Sequence, residues 1–209
     1  MKQTLIVTTM VALLAVGTWY VWSAVWNKSS EETPHIAEID EEDWEEIISA
    51  EYDFSFWYPF TGPDAYQVDE IVPEEGEITT LSYQYILTRA DDYADYVDAD
   101  EPREGPPTIS ISIFENPAKR TAQEWGSGFA EYASAGVRVG DIVPATVGGI
   151  DGVEYLADGL YMSDQILVTV GSWLYLFRGE WLAADDQIRR DFNDIVGSVR
   201  FIDENNSEN

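Results

Sequence analysis

The sequence predicts an α+β domain with a mostly antiparallel sheet, preceded by an N-terminal transmembrane helix or signal segment. Short stretches of alternating apolar and polar residues are joined directly by glycine-containing turns, which is typical of antiparallel strands. Two stretches with apolar residues at helical spacing separate groups of these strands. An uncharged segment of 22 residues, from Leu5 to Trp26, stands ahead of all of them.

Composition limits both the size and the chemistry of the protein. The chain has 209 residues, of which 40 are acidic and 11 basic, and its formal net charge is -29. This length fits one domain with appendages, and 45% hydrophobic residues are too many for a wholly disordered chain. Because the chain is strongly negative, nucleic acid is not expected as a partner. The absence of cysteine excludes disulfides, thiol catalysis and cysteine-bound metal.

Residues 1–28 are expected to form a membrane anchor or a signal segment. As a helix, the 22 uncharged residues would span about 33 Å, close to the ~30 Å hydrocarbon core of a bilayer. Tryptophan and tyrosine gather between Trp19 and Trp26, where aromatic rings suit the water–lipid interface. Cleavage as a signal peptide is the alternative, with Val21 and Ser23 near the cut. The anchored form is a single-pass membrane protein that contacts lipid through this helix and carries its C-terminal domain outside the cytoplasm.

Three further segments follow the anchor. Residues 29–50 contain nine acids and no lysine or arginine, which predicts an extended acidic stalk. A short amphipathic helix is the alternative there, because Ile39, Trp44, Ile47 and Ile48 are partly spaced as on one helix face. Residues 51–203 are expected to form the folded domain, and residues 204–209 a disordered polar tail.

Period-two patterns predict the strands of the domain. The first runs from Tyr52 to Tyr58 and is closed by Pro59, the second places Thr79, Leu81, Tyr83, Tyr85 and Leu87 on one apolar face, and the third alternates isoleucine with serine from Ile109 to Ile113. A central hairpin is predicted from Gln165–Val170 and Trp173–Phe177, which are apolar on both faces and flank Gly171-Ser172. A second hairpin is predicted from Ile142–Val147 and Val153–Ala157, around Gly148-Gly149 and Asp151-Gly152.

Two helices are predicted between the strands. Thr121 and Glu124 form a capping-box pattern, followed by Trp125, Phe129 and Tyr132 on one face. The second helix is expected to begin at Ala184 or Asp185, where acidic residues favour the positive end of the helix dipole. Its apolar stripe is made of four residues, Ile188, Phe192, Ile195 and Val199. A short strand from Val199 to Ile202 is expected to follow.

Four pieces of the domain together resemble the PsbP-like (Mog/PsbP) fold. They are the aromatic strand Phe54–Pro59, the strand Ile109–Phe114 with the later Glu124-Trp125 pair, the glycine turn Val147–Gly152 and the helix-to-strand unit Phe192–Phe201. Small membrane-anchored bacterial proteins of unassigned role also look similar. The resemblance implies an α/β/α sandwich around an antiparallel sheet. It implies no catalytic, cofactor-binding or metal-binding residue.

Individual motifs favour structural roles over chemistry. The lone histidine, His35, falls in the predicted stalk, so a Ser–His–Asp arrangement cannot be built within the domain. Ser110 and Ser112 are expected on the outer face of a strand. Gly148-Gly149 lacks the lysine and helix start of a phosphate loop. Trp57 and Trp181 could stack on carbohydrate, but core packing is the favoured interpretation.

A calcium site is the sharpest hypothesis based on carboxylates. Six acids lie between Asp91 and Glu101, and hard cations prefer several oxygen ligands. The segment lacks the central glycine and alternate spacing of a calcium loop, so a solvated surface loop is favoured.

These observations favour a binding or assembly module without catalytic activity. No catalytic, cofactor-binding or metal-ligating residue is assigned, and no cofactor is expected. The expected partner is another envelope protein with a basic or neutral face, because a negative field disfavours anionic surfaces. A carboxylate-dependent hydrolase or a calcium-regulated domain is the alternative.

Overall fold

The structure is a computed structural model that describes residues 42–74, 80–99, 101, 103–128 and 135–202. Within these ranges the chain forms ten strands in two antiparallel sheets, three α-helices and a 3-10 helix at Ala135–Val137, which confirms the α+β class. The strands are β1 (Trp44–Ser49), β2 (Phe54–Pro59), β3 (Tyr66–Ile71), β4 (Leu81–Arg89), β5 (Ile109–Glu115), β6 (Arg138–Val147), β7 (Ile150–Asp158), β8 (Met162–Val170), β9 (Trp173–Trp181) and β10 (Arg200–Phe201). The helices are α1 (Ala90–Val97), α2 (Ala122–Gly128) and α3 (Gln187–Ser198).

The central strands of the larger sheet are buried on both faces. Its seven strands follow the order β3-β4-β5-β9-β8-β7-β6, and the smaller sheet has the order β1-β2-β10. Because side chains alternate across a strand, β9 sends Tyr175 and Phe177 to one face and Leu174 and Leu176 to the other. The first face packs against the small sheet and α3, and the second packs against α2. Helices therefore lie on both faces of the seven-stranded sheet.

Helix α2 begins at the capping box that the sequence predicts. The backbone N–H of Glu124 donates to Thr121 Oγ1 at 3.2 Å, and the Thr121 N–H donates to Glu124 Oε2 at 2.8 Å. The Glu124 carboxylate accepts from the Thr121 N–H and also from the Thr121 hydroxyl at 3.0 Å, and these two bonds hold the pKa of Glu124 below its usual range. Trp125 is buried against the sheet and its indole N–H donates to Asn116. The stripe residues Phe129 and Tyr132 lie outside the described residues.

Helix α3 carries the predicted apolar stripe but begins at Gln187, later than expected. Ile188, Phe192 and Ile195 are buried in the first core. Asp186, the N-cap residue, turns its carboxylate away from the helix and accepts hydrogen bonds from the N–H groups of Leu182 and Ala183. The Asp186 side chain therefore stabilises the loop before the helix, although an acid at this position was expected to favour the N-terminus of the helix.

Both predicted hairpins are present. Gly171 has a φ of 58° between β8 and β9, and Gly148 and Gly149 have φ values of 56° and 82° between β6 and β7. Glycine adopts this left-handed region without the steric penalty that a Cβ brings. Asp151-Gly152, predicted to share the second turn, lies inside β7 instead.

Strand β1 corrects the predicted stalk. Residues 44–49 pair with β2 along six consecutive positions, so this part of 29–50 belongs to the domain and is a strand, not a helix. Local charge suggested a linker, but the aromatic strand β2 supplies a pairing edge and Ile47 packs against the first core. Residues 1–41 and 203–209, including the predicted anchor and tail, lie outside the described residues. Among the described residues no helix is long and apolar enough to cross a membrane.

Two details of the predicted strands are also wrong. A register shift between Leu81 and Tyr83 sends Leu81 to the second core, away from the face of Tyr85 and Leu87. The extra residue of such a bulge reverses the side-chain alternation. Ser110 and Ser112 are buried on the second face of β5 and do not face solvent as expected.

Candidate functional site

Two exposed leucines lie at the same end of the seven-stranded sheet. Leu160 is 68% exposed in the turn between β7 and β8, and Leu182 is 73% exposed directly after β9. Met162 pairs with Trp181 across β8 and β9, so the turn and the loop leave the sheet side by side. We call this surface, defined by Leu160 and Leu182, the leucine end. Exposed apolar residues that are grouped in this way mark interaction surfaces more often than isolated ones do.

Arg189, Asp164 and Trp181 form a connected group of side chains next to the leucine end. Arg189 of α3 forms a bidentate ion pair with Asp164 of β8, with its Nε at 2.7 Å from Oδ2 and its terminal nitrogen at 2.9 Å from Oδ1. The same guanidinium lies 4.5 Å from the centre of the Trp181 ring, whose Nε1–H donates to Asp164 at 2.8 Å. Bidentate pairing combined with stacking fixes an arginine more firmly than one contact does. Leu182 therefore follows an anchored residue.

Hydrogen bonds hold both leucine loops in place. The Asp186 carboxylate accepts from the N–H of Leu182 at 2.8 Å and from that of Ala183 at 2.7 Å. On the other side, the Tyr161 hydroxyl donates to the carbonyl of Gly105 at 2.7 Å, and burial raises the pKa of this hydroxyl, with Glu104 adding to the effect. The leucines are thus presented on ordered backbone.

Acidic residues surround the leucine end. Asp158 ends β7 just before the turn, Asp185 follows Leu182 in the next loop, and Glu104 precedes the carbonyl that Tyr161 contacts; all three are exposed. Arg190 lies nearby and donates to the backbone carbonyl of Asp185. The surface is therefore apolar at its centre and mainly negative around it.

The acidic segment Asp91–Glu101 begins as a helix where a solvated loop was expected. Asp91, Asp92 and Asp95 are exposed on α1, which has no buried residue. In the part of the chain that the structure describes, no three histidine, cysteine, aspartate or glutamate residues come close enough to hold a metal ion. Asp95 lies three residues after Asp92 and four after Asp91, so the three acids share one side of α1 without forming a group that could hold a metal ion.

A buried carboxylate lies between α3 and the edge strand β3. Asp191 is 4% exposed and accepts hydrogen bonds from the Tyr66 hydroxyl at 2.8 Å and from Gln187 Nε2 at 2.6 Å. Burial raises the pKa of Asp191, although both hydrogen bonds oppose the shift. Burial also raises the pKa of Tyr66. Since both carboxylate oxygens are engaged within the fold, this pair fastens the helix to the sheet and offers no oxygen to a substrate.

The tryptophans considered from the sequence have different surroundings. Trp181 is buried in the first core, as the packing interpretation predicts, and it is the last residue of β9. Trp57 is half-buried on the face of β2 opposite Phe54 and Phe56 and belongs to neither core. His35 lies outside the described residues.

Sequence reasoning missed both the leucine end and a polar pair on β8 and β9. Gln165 and Arg178 are direct neighbours on β8 and β9, and Gln165 is 1% exposed with its Nε2 donating to Ser163 Oγ at 2.9 Å. The available signal was a glutamine and an arginine that each stand next to an apolar run, Ile166–Val168 on β8 and Leu174–Phe177 on β9. No local signal marks the leucine end, because only the register of three strands places Leu160 and Leu182 at the same end of the sheet.

The described residues thus define an α+β domain with two antiparallel sheets and an ordered apolar end. The structure matches a solution structure of cyanobacterial PsbP (CyanoP) from Synechocystis sp. PCC 6803, with 15% identity and a TM-score of 0.47, over 79% of this chain and 96% of that chain. A crystal structure from Bacteroides thetaiotaomicron VPI-5482 matches with 13% identity and a TM-score of 0.43, over 77% of this chain and 49% of that chain. The sequence resemblance named the PsbP-like fold as well. No protein-family model and no curated protein matches the sequence.

Proposed function

We propose that the protein is a membrane-tethered, extracytoplasmic binding or assembly module without catalytic activity, and that it docks through the leucine end. The observation that carries this proposal is the exposure of Leu160 and Leu182 on loops fixed by hydrogen bonds. Ordered loops lose little conformational freedom on association, so more of the apolar burial contributes to affinity. The tether is supported by the uncharged segment Leu5–Trp26.

Charge defines the kind of partner. The chain carries -29 overall, and the acids around the leucine end add a local negative field. Such a field speeds encounter with basic surfaces and slows encounter with anionic ones. The partner is therefore an envelope protein whose contacting face is apolar at its centre and basic or neutral around it. Nucleic acid is not a partner.

Substituting both leucines in one variant tests whether the leucine end docks a partner. The double variant Leu160→Ser, Leu182→Ser and the control Val72→Ser are each used, as full-length proteins, to isolate partners from solubilised membranes. Val72 is 65% exposed but follows β3 at the opposite end of the sheet. A partner retained by the wild type and by the control, and lost by the double variant, supports the proposal. Equal recovery by all three proteins contradicts it.

Fractionation tests the tether separately. After carbonate washing, the full-length protein should stay in the membrane pellet, with residues 51–203 open to protease from outside the cytoplasm. A soluble mature form that begins near Ala24 would show that the segment is a cleaved signal.

A further inference from the structure

Strand β1 is an edge strand with backbone groups that point away from its sheet. The carbonyl of Asp43 accepts a hydrogen bond from the N–H of Phe60 at 3.0 Å. Asp43 and Phe60, which directly precede β1 and follow β2, are therefore a hydrogen-bonded pair. Antiparallel pairs alternate between bonded and non-bonded positions. Given the register of β1 and β2, the backbone N–H and C=O groups of Trp44, Glu46 and Ile48 therefore face away from β2. No described strand pairs with that side.

Two of the other three described sheet edges carry features that block strand pairing, while β3 pairs with β4 in an unbroken register, as β1 does with β2. Strand β6 has Pro144 in its middle and a register shift between Val139 and Val143, and β10 is only two residues long. Proline, irregular register and short length are the usual protections of edge strands. Strand β1 lacks these three features and carries only charged side chains, Glu45 and Glu46, as protection. All six of its residues pair with β2 in one unbroken register.

Side chains on the outward positions of β1 combine acidic and apolar character. Glu46 is exposed, and Ile48 is 63% exposed. Glu46 lies directly opposite Trp57, which is half-buried on β2. Large apolar and aromatic side chains at alternate positions are what an added strand would cover.

A second copy of this chain is a poor occupant of the edge. In the antiparallel register that pairs all three outward positions, Trp44 of each copy lies opposite Ile48 of the other, and Glu46 lies opposite Glu46. Like charges directly opposite each other destabilise a strand pair. The edge therefore disfavours self-association and favours a strand with a positive charge at the central position.

We infer that β1 accepts an extended segment of a partner protein as an additional strand. The segment has a lysine or arginine opposite Glu46 and apolar residues two positions away on each side, opposite Trp44 and Ile48. Main-chain hydrogen bonds to the outward groups of β1 hold the segment, and the alternate side chains select it. This surface is separate from the leucine end, so the inference does not depend on the proposed docking there.

A peptide titration tests the inference on the full-length protein. The probe is a blocked peptide about seven residues long, the usual length of a strand, with a central lysine, isoleucine two positions away on each side and threonine elsewhere. One control peptide has glutamate at the centre, and another has N-methyl groups on the backbone amides that would face β1. Binding is followed by chemical shift changes and by hydrogen exchange at residues 44, 46 and 48.

The expected result is specific for both charge and backbone. The lysine peptide should bind about fivefold more tightly than the glutamate peptide, should protect the three outward amides from exchange, and should lose binding on N-methylation. The Glu46→Lys variant should reverse the preference between the two peptides. Ile48→Pro removes one outward N–H without touching a bond to β2, so it should abolish binding while the melting temperature is kept.

Three results would overturn the inference. They are equal binding of the lysine and glutamate peptides, an unchanged preference in Glu46→Lys, and exchange protection that falls elsewhere than on β1. If Ile48→Pro lowers the melting temperature, the charge reversal at Glu46 decides alone, because an exposed side chain on an edge strand can change sign without loss of the fold.

Discussion

Helix α3 docks on the sheet through a notch that one glycine creates. Gly179 of β9 lies beneath Phe192, and a Cβ added at Gly179 would stand 2.5 Å from Cγ and 2.9 Å from Cβ of that residue. Phe192 is 1% exposed and its first side-chain atoms are the ones that clash, so the ring cannot move aside without shifting the helix. Overpacking of this kind costs about 1–3 kcal/mol. Gly179→Ala should therefore lower the melting temperature by roughly 2–12 °C.

A double-mutant cycle separates this contact from general effects of the substitution. Phe192→Ala alone should cost about 3–5 kcal/mol, because a buried ring leaves a cavity. In that background the ring atoms that the new methyl group at position 179 would strike are gone, and α3 can settle into the space. Gly179→Ala should then cost less than about 1 kcal/mol, which corresponds to a coupling of about 1–2 kcal/mol between the two sites.

Urea unfolding followed by circular dichroism measures the four free energies of the cycle. Gly197→Ala is the control, since Gly197 lies in α3, the helix that contains Phe192, and an added Cβ at Gly197 would meet nothing within 4 Å. Alanine at that position should stabilise the protein by up to about 1 kcal/mol, because it is the better helix former. Additivity of the Gly179 and Phe192 changes within about 0.5 kcal/mol would refute the docking geometry.

Three further predictions concern a buried acid, a helix cap and the acidic helix. Burial raises the pKa of Asp191, so the folded state keeps a proton that the unfolded chain loses. The free energy of unfolding should therefore fall as pH rises from about 4 through that raised pKa. Asp191→Asn should flatten this pH dependence, as measured by urea unfolding at several pH values. Thr121→Ala should cost about 1 kcal/mol and raise the pKa of Glu124 in NMR titration, and an unchanged pKa would contradict the capping geometry. Calorimetry should detect only weak, salt-sensitive calcium binding by the full-length protein; a stoichiometric micromolar site lost in Asp98→Ala would show that the segment containing α1 binds calcium.

The elements that were predicted well are those whose signal is local. The capping box at Thr121, the stripe on α3 and the glycine turn at Gly171 each lie within a few residues, where helical or strand geometry fixes the neighbours. Strand β1 was missed because its acids resemble a linker, and its pairing with β2 depends on a separate aromatic strand. The start of α3 was misplaced because the Asp186 carboxylate accepts from N–H groups of the preceding loop and from none of the helix.

The sequence by itself determined the α+β class, the helix faces and the turns, since these follow from periodicity along the chain. Only the tertiary structure decided that Leu160 and Leu182 lie at the same end of the sheet, that Gln165 pairs with Arg178, and that no described strand pairs with the outward side of β1. Each of these facts depends on strand register and sheet order. Strand register and sheet order are set by residues far apart in the chain, which together bury the two faces of one sheet. No local sequence pattern indicates which strands will pair.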